Sequence, residues 1–432
     1  MRNISLALLL LMATFTVNAQ GPDVKPANVA QHNQIEAKVD VAFNGWIYEA
    51  HSYTDYAHND VGIWVSVSKD AGSTWQTIVI FSGSDVAVPR FDIVVTGQDT
   101  NNLKLFVART YTDLLINQNT VFVSRHNANT GANEALLLSR SLGANSVYDL
   151  QLASDYMFPA VGAQPYSIMC AYTCQGATKD SLHVLTSADG GNSFGSLQTV
   201  TTTTRKLNKL DIAYGYSPSA SNGRYFLAWE EFNAPNDTLG HIFMAKHTTN
   251  ISLGFSAPTN LDSLNSTAIG KCRNPSIAVS QTLEDNDSAS ATALIMAECD
   301  NTSNGQGYDL VGFYNQKAHN GTYWQSFIYN SFSTSNQAQP CLSFDTLNRL
   351  FILTYYDNMN GAMAHFGKDL NMPSATNWAV MTPSYNDNPL THAKPYPKVK
   401  FNAAMKNAVY VWTGNPVANN APILFDAGYR YR

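Results

Sequence analysis

Carboxylates and aromatic rings occur together in this sequence at the ends of short apolar segments. Trp229-Glu230-Glu231 ends one such segment and Tyr356-Asp357 ends another. Aromatic faces stack on the apolar faces of sugars, while carboxylates accept hydrogen bonds from hydroxyl groups in fixed directions. This combination predicts sugar recognition. The candidate ligand-binding residues are Arg90, Arg109, Arg273, Trp229, Glu298, Asp357 and Trp412.

Other chemistries find little support in the sequence. It contains no H-E-x-x-H motif or phosphate-binding loop. Cys170 and Cys174 are four residues apart, but no His or further Cys follows at zinc-ligand spacing. Neither a metal nor a cofactor is therefore expected. The net charge of −6 argues against nucleic acid as a partner, because nucleic-acid binding needs a basic surface.

The N-terminal segment predicts export. Arg2 precedes an apolar stretch from Leu6 to Val17, and Val17-Asn18-Ala19 is typical of a cleavage site. Residues 1–19 are therefore interpreted as a signal peptide, and residues 20–432 as one secreted domain at the cell surface or outside the cell. No other stretch reaches transmembrane length. The sequence leaves the oligomeric state open.

A repeated strand pattern gives the expected architecture. Charged residues make up only 13% of the chain, and 22 Tyr and 20 Phe favour strands. A short alternating segment recurs at intervals of 54 to 65 residues, each time followed by a more apolar one. Its first core residues are Val39, Ile93, Leu150, Ile212, Ile277, Leu342 and Val399. We predict an all-β, seven-bladed β-propeller of four-stranded antiparallel blades. The last unit has only three strands, so an N-terminal strand around Val24–Gln31 is expected to close the ring.

Two of the predicted turns carry a sharper motif. Both match S-x-D-x-G-x-[ST]-aromatic, through Ser68, Asp70, Gly72 and Trp75 in the first turn and Ser187, Asp189, Gly191 and Phe194 in the second. In this motif the chain resembles the sialidase-like Asp-box (BNR-repeat) propeller superfamily. The resemblance implies that these residues stabilise the turn, on the face opposite the ligand pocket. Triplets such as Asp345-Thr346-Leu347 are similar to the O-glycosylation site of exported Bacteroidota proteins.

The resemblance also supplies a candidate catalytic set. It implies Tyr356 or Tyr355 as nucleophile, Glu230 or Glu231 as its partner and Asp60 or Asp55 as the acid. However, the Arg-Ile-Pro signature of catalytic sialidases is absent, and those enzymes have six blades. The first hypothesis is therefore a non-catalytic module that binds a glycan or a cell-surface partner. The alternative is a divergent exo-acting glycoside hydrolase, and a third is a structural role in a surface assembly.

The five cysteines are an odd number, so at least one stays unpaired within the chain. Cys272 and Cys299 flank one predicted hairpin and could face each other across it. This pair is the candidate disulfide.

Overall fold

The structure, a computed structural model, describes most of the chain. The described residues are 32–55, 60–84, 86–155, 166–215, 223–233, 237, 240–247, 254–264, 271–280, 291–300, 307–318, 322–329, 336–357, 361–367, 378–380, 397–413 and 423–429. The expected signal peptide and the expected closing strand at Val24–Gln31 lie outside them. The described backbone is built of strands, with two short 3-10 turns at Thr100–Asn102 and Asp262–Leu264. The all-β prediction is confirmed.

Within the described ranges, the strands form six four-stranded antiparallel sheets and one three-stranded sheet. The first sheet comprises β1 (His32–Val41), β2 (Ile47–Asp55), β3 (Asp60–Ser68) and β4 (Gln76–Ser84). The second comprises β5 (Phe91–Thr96), β6 (Lys104–Asp113), β7 (Gln118–Asn127) and β8 (Asn133–Gly143). The third comprises β9 (Val147–Ser154), β10 (Ile168–Cys174), β11 (Asp180–Ser187) and β12 (Gln198–Thr203).

The remaining sheets follow in chain order. The fourth comprises β13 (Lys206–Gly215), β14 (Arg224–Phe232), β15 (His241–Lys246) and β16 (Thr259–Asn260). The fifth comprises β17 (Cys272–Val279), β18 (Ala293–Asp300), β19 (Tyr308–Asn315) and β20 (Gln325–Tyr329). The sixth comprises β21 (Gln337–Asp345), β22 (Leu350–Asp357), β23 (Gly361–Gly367) and β24 (Trp378–Val380). The last comprises β25 (Lys398–Asn402), β26 (Asn407–Thr413) and β27 (Ile423–Tyr429).

The first strands of the sheets form a closed cycle. Strand β1 contacts β5, and the contacts continue through β9, β13, β17, β21 and β25 back to β1. Each sheet buries apolar side chains against its neighbours, because a single sheet leaves a hydrophobic face exposed. Sheets arranged around a central axis in this way form a β-propeller.

Side-chain hydrogen bonds join β1 to β5 and each later first strand to the next one, as far as β25. Asp40 in β1 accepts a hydrogen bond from the Val95 N–H in β5 at 2.7 Å, and Asp92 accepts one from Leu152 at 2.7 Å. The same link recurs at Asp149–Leu210, Asp211–Ile277, Ser276–Leu342 and Ser343–Phe401, over 2.8–3.0 Å. Because these carboxylates and hydroxyls are largely buried, the backbone groups that they satisfy help to fix the sheets relative to one another.

The last and first sheets meet through different contacts. Lys400 Nζ lies 2.9 Å from Asp40 Oδ1, and the buried Asn402 donates from Nδ2 to the Gly45 carbonyl at 3.0 Å. Val409 and Val411 of β26 pack against Ala37 of β1. Polar and apolar contacts therefore join the two ends of the described chain.

The two S-x-D-x-G segments fold into the same turn. Ser68 Oγ donates to Asp70 Oδ1 at 2.9 Å and accepts from the Gly72 N–H at 2.8 Å, and Thr74 donates twice to Asp70. Ser187, Asp189, Gly191 and Ser193 repeat this pattern. Burial raises the pKa of Asp189, but the hydrogen bonds from Ser193 and Ser187 outweigh it and lower the pKa to about 2. These carboxylates therefore stabilise the turns through hydrogen bonds.

A disulfide joins Cys272 of β17 to Cys299 of β18, the pair that the sequence favoured. The two residues are opposite each other in the strand register. Cys170, Cys174 and Cys341 are free thiols. The bond fixes the hairpin that carries Arg273 and Glu298, so it belongs to the frame of the region described next.

Candidate functional site

The first strands enclose a cavity of about 310 Å³ along the axis. The charged side chains that line it are Glu36, Lys38, Asp92, Asp149, Lys209, Asp211, Lys398 and Lys400. Five of the polar side chains that line it lie towards the starts of the first strands. We call this end of the cavity the channel mouth and define it by Glu36, Lys209, Asn274, Gln339 and Lys398.

The charges in the cavity largely offset one another. Lys209 Nζ lies 3.9 Å from Asp149 Oδ2, and Lys38 Nζ lies 3.7 Å from Glu36 Oε1. Burial raises the pKa of Glu36, but Lys209, Lys38 and other cations outweigh it and lower that pKa to about 2. Burial raises the pKa of Asp92 to about 6 despite the nearby Lys38. With four lysines and four carboxylates in its lining, the cavity has no excess of one charge.

Bulges in four first strands shape the channel mouth. The register shifts between Gln34 and Ala37 in β1, and again between Leu207 and Leu210 in β13. Matching shifts occur in β17 and β21, where Asn274 and Gln339 adopt left-handed φ angles of 50° and 55°. A bulge leaves residues unpaired and re-aims their side chains. It therefore turns polar groups of four sheets towards one opening.

Glu230 braces two of these bulges. This fully buried carboxylate of β14 accepts hydrogen bonds from Asn208 Nδ2 at 2.6 Å and from the Lys209 N–H at 3.2 Å. Its other oxygen accepts the Asn274 N–H of the next sheet at 2.5 Å. Burial raises the pKa of Glu230 to about 7, although the three hydrogen bonds oppose that shift.

Glu298 likewise holds the bulges of the fifth and sixth sheets. It accepts Asn274 Nδ2 at 2.6 Å and the Gln339 N–H of the sixth sheet at 2.6 Å. Arg273 Nε lies 2.7 Å from its second oxygen, and the Arg273 guanidinium lies 4.5 Å from the centre of the Tyr308 ring. Asn274 therefore lies between two buried carboxylates and contacts both.

Two of the aromatic candidates lie in the core. Trp229 and Trp412 are fully buried. Trp229 stacks on Phe243 at 6.0 Å between ring centroids, and its Nε1 donates to Glu231 Oε1 at 3.0 Å. The expectation that these rings face a ligand does not fit their burial. The physical reason is that second strands of a propeller are covered on both faces, so a large apolar side chain there fills the core.

The other candidates lie at the same end of the sheets but in separate settings. Arg109 is held between the rings of Phe81 and Phe122, with 4.4 and 4.8 Å to the ring centres. Arg90 is exposed before β5, and Asp357 is buried at the end of β22. Burial raises the pKa of Glu231, against the influence of Trp229 and of Arg205 3.7 Å away.

The members of the implied catalytic set lie in the first, fourth and sixth sheets. Asp60 accepts a hydrogen bond from the Tyr53 hydroxyl at 3.3 Å, and Tyr356 is half-buried in the sixth sheet. No hydrogen bond or ion pair in the described ranges joins either residue to Glu230 or Glu231. The structure instead brings together Glu230, Arg273 and Glu298.

Sequence reasoning missed most of the channel mouth. Asn274 and Gln339 each precede a proline, and a proline inside a strand marks a bulge or an edge. Asn274-Pro275 and Gln339-Pro340 in corresponding repeats are the signal that could have located the mouth. Glu36 and Lys398 carry no such signal.

Comparisons with known proteins extend to the fold. No protein-family model matches the chain, and no curated protein matches it. Solved structures do resemble it, among them α-L-arabinanase of Penicillium chrysogenum complexed with arabinobiose, at 10% identity and a TM-score of 0.52, covering 94% of this chain and 98% of that one. The GH93 α-L-arabinofuranosidase of Fusarium graminearum with arabinobiose is similar at 11% identity and a TM-score of 0.52, covering 95% and 98%. At such identities the likeness concerns the propeller fold. Among the described residues, no helix is long and apolar enough to cross a membrane.

Proposed function

We propose that this chain is an exported, seven-bladed propeller of the sialidase-like Asp-box type that binds a glycan at its channel mouth without hydrolysing it. The observation that carries the proposal is the set of four bulges, which aims polar side chains of different sheets into one cavity. Few but convergent polar groups in a concave site are typical of ligand pockets. The proposal includes closure of the ring by an N-terminal segment and cleavage before Gln20.

The candidate acids support binding rather than catalysis. Glu230 and Glu298 are fully buried, and each accepts three hydrogen bonds from residues of the bulges. A general acid or nucleophile must reach the scissile bond, within about 3 Å. These carboxylates instead hold the backbone that shapes the mouth.

The ligand class follows from the charge of the cavity. Because lysines and acids offset one another there, an uncharged oligosaccharide fits better than a polyanion. Two propellers of similar fold hold arabinobiose, so arabino-oligosaccharides are the first ligands to test. A protein of the cell surface is the alternative partner.

The test compares two lysines of the last sheet. Lys398 lines the mouth, whereas Lys406 is exposed in the turn at the opposite end. Calorimetry of the exported chain on arabino-oligosaccharides, xyloglucan oligomers and sialosides should find a ligand. Lys398→Gln should weaken its binding about tenfold or more, since a hydrogen bond from a charged group contributes about 1.5–3 kcal/mol. Lys406→Gln should leave it unchanged. No binding of any sugar, or equal effects of the two variants, would refute glycan binding at the mouth.

One observation favours hydrolysis as a second candidate. With its pKa raised to about 7, Glu230 holds a proton near neutral pH, as a general acid must, and Glu298 lies across Asn274 from it. Product formation from the same sugars, followed by mass spectrometry, tests this. Turnover that is lost in both Glu230→Gln and Glu298→Gln while binding persists would replace the non-catalytic proposal.

A further inference from the structure

The turn between β6 and β7 carries three consecutive exposed aliphatic side chains. The exposed fractions of Leu114, Leu115 and Ile116 are 58%, 80% and 65%, and Tyr111 at the base of the turn is also exposed. We call Leu114–Ile116 the apolar tip. Single exposed apolar residues are ordinary on a protein surface, but three in a row at the end of a hairpin are not.

The tip is held in place by its own hydrogen bonds. Asp113 Oδ1 accepts the N–H of Leu115 at 2.9 Å and that of Ile116 at 3.3 Å, and Asn117 takes a left-handed φ of 50°. Pairing of β6 with β7 continues through Asp113↔Gln118. The three side chains therefore stand on a defined turn.

The hairpin projects at the same end of the molecule as the channel mouth. The segment before β5 stays alongside β6 as far as the Val86↔Asp113 bridge, so the apolar tip is the part of the hairpin that extends past it. The mouth also lies at the starts of the first strands. A surface into which the tip inserts would therefore face the channel mouth.

We propose that the apolar tip inserts into the interface of an uncharged lipid bilayer and so orients the channel mouth towards a membrane. Three side chains cannot bury the roughly 800 Å² per partner that a stable protein–protein interface needs, which disfavours a second copy of the chain or a protein partner. The tip is convex, and Asp113, whose carboxylate is engaged in the turn, is the sole charged residue between Tyr111 and Thr120. Tyrosine next to an aliphatic tip is typical of membrane interfaces.

The chain supplies its own control at the opposite end. Asp345 Oδ1 accepts the N–H of Leu347 at 2.8 Å and that of Asn348 at 2.9 Å, so Leu347 holds the turn position of Leu115. Leu347 is 51% exposed. Its turn joins β21 to β22, away from the mouth.

The experiment measures partition of the exported chain, with its N terminus mapped by mass, into vesicles of phosphatidylcholine alone. We expect wild type and Leu347→Ser to bind the vesicles. Leu115→Ser/Ile116→Ser should bind at least about tenfold more weakly, because two large aliphatic side chains no longer leave water. Absence of vesicle binding by wild type, or equal binding of the two variants, overturns the proposal.

A second measurement tests insertion of the tip even if the double variant fails to fold. An environment-sensitive fluorophore on Leu115→Cys should shift to the blue when phosphatidylcholine vesicles are added, whereas the same label on Leu347→Cys should not. Equal responses at the two sites contradict insertion of the tip.

Discussion

Glu230 is a carboxylate on which burial and hydrogen bonding act in opposite directions. Removal from water favours its neutral form, while the donors on Asn208, Lys209 and Asn274 favour the anion. The balance raises its pKa to about 7, above the 4.5 of an ordinary glutamate. At neutral pH this residue is therefore close to the midpoint between its neutral and charged forms.

This balance predicts a pH dependence of stability. Between pH 4.5 and pH 7 the folded protein retains a proton that the unfolded chain has lost. The stabilisation is full below pH 4.5 and is lost as the pH rises through 7. Glu230 should therefore lower the free energy of unfolding by about 2–3 kcal/mol between pH 5 and pH 8. Glu230→Gln should remove that part of the change in urea unfolding curves.

The control for Glu230 is Glu134, which pairs with Lys104 and Arg125 at the surface. Exposed ion pairs of this kind contribute about 0–1 kcal/mol, so Glu134→Gln should leave the pH profile close to that of wild type. A Glu230→Gln profile as steep as wild type between pH 5 and pH 8 would show that other groups, such as Asp92, set the slope.

The turns after the third strands are elements that pack between sheets. Gly72 and Gly191 adopt φ angles of 90° and 76°, where residues other than glycine are strained. A Cβ on Gly191 would lie 2.3 Å from Cζ of Phe106 in the neighbouring sheet. The second turn thus fixes both its own hairpin and its fit against β6.

A comparison of two glycines separates these contributions. Gly143 also has a left-handed φ of 61°, but a Cβ there would meet nothing within 4 Å. Gly143→Ala should cost about 1–2 kcal/mol of stability from backbone strain. Gly191→Ala should cost about 1–3 kcal/mol more, because it also overpacks the contact with Phe106. Thermal unfolding of the two variants measures the difference, and equal losses would mean that Phe106 moves aside freely.

Elements were easier to predict from the sequence than the site. The alternating segments around Val39 and Ile277 can be recognised as strands because one side of each first strand faces a neighbouring sheet. The burial of Trp229 could not be predicted from the sequence. Second strands are covered on both faces, so their residues do not alternate between apolar and polar. The hydrogen-bond partners of Glu230 could not be predicted either, because Asn274 belongs to the next sheet and lies 44 residues away along the chain.

At the scale of the whole molecule, the contact between the last and first sheets closes the cycle of first strands. Asn402 is fully buried there, donates to the Gly45 carbonyl and accepts the Met405 N–H at 3.1 Å. Lys400 and Asp40 add an ion pair. Removal of one contact at this junction affects sheets that are far apart in the sequence.

Asn402→Ala tests the junction. It leaves the Gly45 carbonyl and the Met405 N–H without their partner and should cost about 1–3 kcal/mol. Asn44 is the control: it is half-buried, it accepts the Trp46 N–H at 3.2 Å, and its bond to Thr100 Oγ1 at 3.3 Å joins the first and second sheets. Asn44→Ala should cost less than half as much in urea unfolding. A larger loss of unfolding free energy in Asn44→Ala would show that the contact between the first and second sheets contributes more stability than this junction does.

The links between first strands make few demands on the sequence. Each requires no more than an oxygen acceptor at one place in the strand, and aspartate and serine both fill it, as Asp211 and Ser276 do in adjacent sheets. A ring joined by such connectors tolerates wide variation in sequence, because many side chains offer an oxygen acceptor. Identities of 10–11% with solved structures that align over 94–95% of this chain agree with that tolerance.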